Sequence, residues 1–334
     1  MKPLALLITI VLAAPLAAAP AASARPPQDA PGTCTDSFLP VSLGPGQPAT
    51  QQVFTRYCRP PGRTPDTVQL LVHGCLYNSL YWDFPDPTGA TDRYSYVAHA
   101  TRAGYATLAV DMLGSGRSSH PLSGQVTVDA GVWVIHQVVL ALRAAGFAKV
   151  VEVSWSFGTF FSWLEVSRYH DVDAAVFTGA THHLAVSPAL LKDALSLEPA
   201  GPDPGYLTTR PGTRQRIFYD PAPADPNVVA YDEAHRDLMT DAEITGFPGA
   251  LAEPLDIRVP VLLVLSATDP LFCGPLATDC SSAQAMLDQE RPFLGPSTTN
   301  ASAYLLANSG HALGLGPQAT EAFAVEQAWI ADAT

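Results

Sequence analysis

The sequence predicts an α/β protein built on a mostly parallel, doubly wound sheet, with a largely helical cap inserted late in the chain. Three observations carry this expectation. Short, continuous apolar runs such as residues 68–73 (VQLLVH) and 259–266 (VPVLLVLS) have the pattern of strands buried on both faces. Between such runs lie stretches of helical period, clearest in residues 127–145, where Val128, Val132, Ile135, Val139 and Leu142 recur at helical spacing. Residues 149–159 (KVVEVSWSFGT) form a β-branched run that ends at a serine set among small residues, the pattern of a strand turning sharply into a helix.

Residues 1–24 read as a signal peptide rather than as part of the fold. Lys2 precedes an apolar run from Leu4 to Ala19, and Ala22-Ser23-Ala24 has the small-x-small pattern of a cleavage site, so cleavage is expected after Ala24 and the protein is expected to be secreted. The run falls short of the roughly 20 apolar residues of a spanning helix, and Pro15 interrupts it. No stable membrane anchor is expected. Residues 25–32 are a Pro- and Ala-rich lead-in.

Strands are then expected at 38–43 and 51–58 as an antiparallel pair, followed by the buried strand 68–73. A helix is expected over 92–103, with Asp92 as its cap and Gly104 as its stop. Strand 105–111, helix 127–145 ending at Gly146, strand 150–154 and helix 157–169 continue the alternation. Strands 174–179, 259–266 and 301–307 and a closing helix over 320–330 complete it. Parallel neighbours need long crossovers, and here the crossovers have helical period. Only residues 181–254 break the pattern: they contain no good strand and are rich in Pro, Gly and short helical pieces. Structureless loops of that length are uncommon in compact domains. The expectation is a core formed by residues 25–180 and 255–334, with 181–254 as a cap over the site.

Composition narrows the function. A chain of 334 residues, 47% hydrophobic, is long enough to bury one large core. Its net charge of −13, without any basic stripe, argues against nucleic acid as a partner. In an oxidising compartment the cysteines can pair. Cys34 and Cys58 bracket the N-terminal segment, Cys273 and Cys280 close a short loop, and these are the two expected disulfides. Cys75 is left as a small, shielded residue. No C-x-x-C spacing and no paired histidine spacing occurs, and neither metal nor cofactor is expected.

Ligand sites in open α/β sheets lie at the carboxyl ends of strands, so the informative polar residues are those that follow one. Ser156 follows the strand at 150–154, Asp269 follows 259–266, and His311 follows 301–307. Three residues distant in sequence would therefore converge on one sheet edge. Their chemistry is complementary: a serine hydroxyl needs a histidine to take its proton, and the histidine needs a carboxylate to hold its tautomer. Small residues are required two positions either side of the nucleophile, and Ser154 and Gly158 occupy them. Main-chain N–H groups of Cys75 and Phe157 are placed to receive an oxyanion.

These features, His73-Gly74, the run from Asp111 to Ser118 (DMLGSGRS), the elbow at Ser156, Asp269 and His311, resemble the α/β-hydrolase fold superfamily over nearly the whole mature chain. Within that superfamily the chain looks like the secreted, capped, esterase-like serine hydrolases. One departure is Ser154, which stands where the usual G-x-S-x-G elbow has its first glycine. The resemblance implies hydrolysis of a carboxylic ester or lactone through an acyl-enzyme, with Asp111 structural. It also leaves open an acyltransferase, a carbon–carbon bond hydrolase using the same triad, or a non-catalytic binding protein on the same fold.

For substrate, Tyr77, Trp82 and Trp155 suggest a pocket for a small apolar or aromatic molecule. His182, at the entrance to the cap, reaches either substrate or a capping hydrogen bond.

Overall fold

The computed structural model describes residues 32–334 except positions 90 and 299, so the expected signal peptide lies outside the described residues. β1 (Thr33–Val41) and β2 (Gln51–Arg59) form the antiparallel pair, in register from Thr33 opposite Arg59 to Val41 opposite Gln51. That register sets Cys34 directly opposite Cys58, and the two form a disulfide. A second disulfide joins Cys273 and Cys280, leaving Cys75 as the free cysteine.

β3 (Thr67–Val72), β4 (Ala106–Val110), β5 (Lys149–Trp155), β6 (Ala174–Thr178), β10 (Val261–Ser266) and β11 (Ala301–Leu306) are the parallel strands. The eight-stranded sheet runs β1-β2-β4-β3-β5-β6-β10-β11. Every residue of β4, β6 and β10 is buried, the burial that their unbroken apolar sequences require. α1 (Tyr96–Ala103), α2 (Val128–Ala144), α3 (Phe157–Tyr169), α7 (Ala283–Glu290) and α8 (Ala319–Ala333) cover the sheet.

Helix ends follow local side-chain chemistry. The Thr127 side chain accepts the Ala130 N–H at the start of α2. α1 begins later than its sequence pattern suggests: the Ser95 side chain, not that of Asp92, accepts the Ala98 N–H. Asp92 instead precedes a turn closed by the Ser95 N–H on its carbonyl, and its carboxylate pairs with Arg102. Gly104 stops α1 in the left-handed conformation, as expected.

Residues 181–254 lie between β6 and β10, and here the expectation of an insert without strands is corrected. Alongside α4 (Leu191–Ala194), α5 (Pro226–Ala234) and α6 (Asp241–Ala252), the segment builds a small antiparallel sheet from β7 (Leu197–Pro199), β8 (Tyr206–Thr209) and β9 (Met239–Thr240). The segment is tied to the core at two places. After β3, Leu76 exchanges backbone hydrogen bonds with Leu238 (3.3 Å) and Asp237 (3.2 Å). Before α8, the Phe218 carbonyl accepts the N–H groups of His311 (2.9 Å) and Ala312 (2.8 Å).

A buried ionic core holds these ties together. Asp232 receives both Nε and Nη2 of Arg214 (2.9 and 2.8 Å) and the hydroxyls of Tyr77 (2.9 Å) and Tyr219 (2.8 Å). Arg214 Nη1 also reaches the Leu76 carbonyl at 3.2 Å.

Candidate active site

β5 ends at Trp155 and α3 starts at Phe157, so the whole turn is made by Ser156. Its backbone has φ 55° and ψ −123°, a conformation strained for any residue with a side chain. The turn is held from both sides. The Ser156 N–H donates to Thr178 O at 2.8 Å, and α3 packs so closely on β3 that a Cβ at Gly158 would stand 2.4 Å from the His73 carbonyl oxygen. Glycine is therefore required at 158. Ser154 meets no such constraint: its hydroxyl lies 3.2 Å from that of Thr159, which explains why serine is tolerated there.

The three residues predicted from strand ends come together. Ser156 Oγ lies 2.7 Å from His311 Nε2, and His311 Nδ1 lies 2.8 Å from Asp269 Oδ2. With Nδ1–H donating to Asp269, Nε2 is free to accept the serine proton. The second oxygen of Asp269 accepts the N–H groups of Leu271 (2.9 Å) and Phe272 (3.3 Å), which fixes the carboxylate plane. All three side chains are buried.

The turn after β3 faces the same point. Gly74 sits against the nucleophile, since a Cβ there would lie 2.8 Å from Ser156 Cβ. His73 braces this turn: Nε2 accepts the Met112 N–H (2.9 Å), so Nδ1 carries the proton that goes to the Gly74 carbonyl (2.7 Å). Burial lowers the His73 pKa and favours that neutral form. Asp111 is structural, its oxygens accepting the N–H groups of Ser79 (2.8 Å) and Arg117 (2.7 Å).

Cys75 and Phe157 border one small cavity of about 10 Å³, room for about one water. Phe157 is the first residue of α3, so its N–H has no acceptor within the helix. Desolvation pushes the Cys75 thiol up to about 12, which leaves it protonated and unreactive near neutral pH.

The aromatic residues expected to contact substrate are placed differently. Trp155 is fully buried, donating Nε1–H to the His311 carbonyl (3.0 Å) and stacking on Tyr81 at 4.0 Å. Tyr77 belongs to the Arg214–Asp232 core, and Trp82 packs edge-on against Tyr96. His182 pairs with Glu290 and is sandwiched between Trp163 (4.1 Å) and Phe293 (4.6 Å). None of the four borders the cavity. Its apolar wall is instead Met112, Leu113, Phe161, Leu238 and Met239, with Glu243 as a buried acid whose pKa desolvation raises to about 7. Met112 and Leu113 follow a strand end and were legible in principle. Leu238 and Met239 come from the insert, where no sequence period points at the site.

Residues 69–326 match the family model described as the alpha/beta hydrolase family. The chain belongs to the α/β hydrolase family. Solved structures with the same fold include an alpha/beta hydrolase fold protein from Chitinophaga pinensis (15% identity, 90% of this chain and 98% of that one, TM-score 0.59). A monoacylglycerol lipase from Paleococcus ferrophilus shares 15% identity over 84% of this chain and 99% of its own, with TM-score 0.59. The esterase domain of a Rhodothermus marinus protein shares 15% identity over 89% of this chain and 97% of its own, with TM-score 0.53. At this identity the likeness concerns the fold. No curated protein matches the chain by sequence. Among the described residues, no helix of this α/β hydrolase is long and apolar enough to cross a membrane.

Proposed function

We propose that this α/β hydrolase is a secreted serine hydrolase that cleaves a small apolar carboxylic ester or lactone through an acyl-enzyme. The observation that carries the reading is the continuous hydrogen-bonded chain from Ser156 Oγ through His311 to Asp269. Ser156 Oγ attacks the acyl carbon while its proton passes to His311 Nε2, and Asp269 stabilises the imidazolium that forms. The carbonyl oxygen becomes an oxyanion received by the N–H groups of Cys75 and Phe157, each donor worth about 3 kcal/mol of barrier. Collapse of this intermediate breaks the acyl–oxygen bond. The leaving alkoxide takes the proton from His311 and departs as the alcohol, or, in a lactone, remains tethered. Water then attacks the acyl-enzyme by the same route in reverse roles.

The apolar cavity wall supports an apolar acyl group next to Cys75 and Phe157. The burial of Ser156 and a cavity of only about 10 Å³ support reading residues 181–254 as a cap that shifts to admit substrate. Secretion is supported by residues 1–24 and by the two disulfides.

Intact-protein mass spectrometry after a fluorophosphonate probe tests the reading. One adduct is expected on the wild type and none on Ser156→Ala. An adduct that persists on the variant, or no adduct on folded wild type with either a large or a small probe, refutes an activated Ser156. N-terminal sequencing of protein recovered from the medium tests cleavage after Ala24.

A further inference from the structure

A second cluster of titratable groups lies between α2 and α3, away from the triad. His136 comes from α2, Glu165 from α3 and Asp171 from the turn that leads into β6. One potential ligand atom from each lies within 4.8 Å of the other two. His136 Nδ1 is 2.7 Å from Asp171 Oδ2 and 3.7 Å from Glu165 Oε1.

Glu165 is fully buried, and among the described residues neither of its oxygens meets an N–H or hydroxyl donor; the groups that face it are the carboxyls of Asp171 and of the equally buried Glu152 on β5, whose Oε1 accepts the Ser162 hydroxyl. Oδ1 of Asp171 is likewise without a donor. Among the described residues, no lysine or arginine pairs with Glu165 or with the Asp171 carboxylate. The nearby Arg143 is spent on the Asp171 main-chain carbonyl (Nε at 3.2 Å, Nη2 at 2.7 Å) and on Asp173 (2.7 Å), so it reaches neither carboxylate. An ionised buried carboxylate without donors is costly, and the cost is relieved either by a proton, which burial favours at Glu165, or by a positive charge brought to it.

We propose that His136, Glu165 and Asp171 bind one divalent first-row transition ion, Zn²⁺ or Mn²⁺, through one imidazole nitrogen and two carboxylates. A ring nitrogen in the donor set favours these ions over Mg²⁺ and Ca²⁺, which take oxygen ligands. His136 is pre-oriented by the Tyr169 ring stacked on it at 3.7 Å, and its side chain and that of Asp171 keep 14% and 18% exposure, a route for the ion from solvent. On binding, the ion replaces the direct hydrogen bond between His136 and Asp171. The role is structural. Glu165 is nine residues along the chain from Ser156, about 13 Å along the helix axis, so the ion would fasten α2 to α3 and to the start of β6 without touching the reacting atoms.

Calorimetric titration of the chelator-treated protein with Zn²⁺, Mn²⁺ and Mg²⁺, paired with thermal unfolding, tests the site. One Zn²⁺ or Mn²⁺ per chain is expected, with a raised unfolding temperature and weaker binding of Mg²⁺. Glu165→Gln is expected to lose at least about tenfold in affinity and most of the thermal shift, while Ser156 still takes the fluorophosphonate. If Glu165→Gln does not fold, His136→Gln must show the same loss. Wild type that binds neither ion, or a variant that binds as tightly as wild type, overturns the proposal and leaves shared protons to neutralise the cluster.

Discussion

At Ser156 a strained backbone, costing on the order of 1–3 kcal/mol, is held by close packing of α3 on β3. A Cβ at Gly158 would meet two main-chain oxygens, at 2.4 and 2.8 Å, and neither can move without disturbing the turn. Gly158→Ala is therefore expected to lower stability by at least about 1–3 kcal/mol and to lower fluorophosphonate labelling, measured by urea unfolding and by mass spectrometry. In the proposed mechanism Asp269 acts through the tautomer of His311, to whose Nδ1 it is hydrogen-bonded, rather than by taking a proton. Asp269→Asn preserves the shape of the site but offers an amide that can present an N–H to Nδ1, which forces the proton to Nε2. The expected outcome is a fall of about 10,000-fold in kcat on an aryl ester, with the unfolding transition little changed. Retention of wild-type turnover would remove Asp269 from the triad.

At the scale of elements, residues 181–254 link the loop after β3 to the loop that carries His311 of the candidate triad. Arg214 touches the loop after β3 at Leu76, and the adjoining turn at Phe218 and Tyr219 grips the histidine loop, where a Cβ at Gly310 would stand 2.4 Å from Tyr219 O. Asp232 joins both sides. Asp232→Ala strands a buried guanidinium and two tyrosine hydroxyls, so a loss of about 3–5 kcal/mol is expected in denaturant unfolding. Turnover should fall as well, because the Phe218 carbonyl that positions His311 loses its support. Undiminished turnover at full stability would separate the insert from the site. The sequence did not disclose the insert's small sheet: strands of two to four residues carry no readable period, whereas the six-residue run of β3 does. The cap of α1 was missed for a similar reason, since Asp92 and Ser95 are both good caps and only the backbone path chooses between them.

Over the whole molecule, burial of acids sets the dependence of stability on pH. Glu326 on α8 is 3% exposed, its Oε2 meets no donor among the described residues, and desolvation raises its pKa to about 8. The unfolded chain releases this proton near the ordinary value of 4.5, so between 4.5 and about 8 the folded state holds more protons. Its contribution is fully present below 4.5 and declines as pH rises through about 8. Glu326→Gln, neutral at every pH, is expected to flatten that decline and to be more stable than wild type at pH 9 by an amount on the order of a few kcal/mol. Parallel urea titrations at pH 5, 7 and 9 check this, and identical profiles for both proteins would count against a buried proton at Glu326.

By itself the sequence determined the α/β class, the parallel strands, both disulfides and the three residues of the candidate triad. Each follows from local chemistry: continuous apolar runs such as β5 and β10 must be covered on both faces, and Ser156, Asp269 and His311 each follow a strand of the parallel set, at the edge where parallel strands deliver side chains together. Only the tertiary structure decided what lies beside them. Tyr77, Trp155 and His182 have the composition of a pocket but are consumed by packing, and Leu238 and Met239 reach the cavity from the insert. His136, Glu165 and Asp171 show no ligand spacing in sequence because α2, α3 and the turn before β6 each contribute one of them. Whether an aromatic ring or a carboxylate faces solvent, a neighbour or a ligand depends on which elements pack against it, and that is a property of contacts between distant segments rather than of any one segment's pattern.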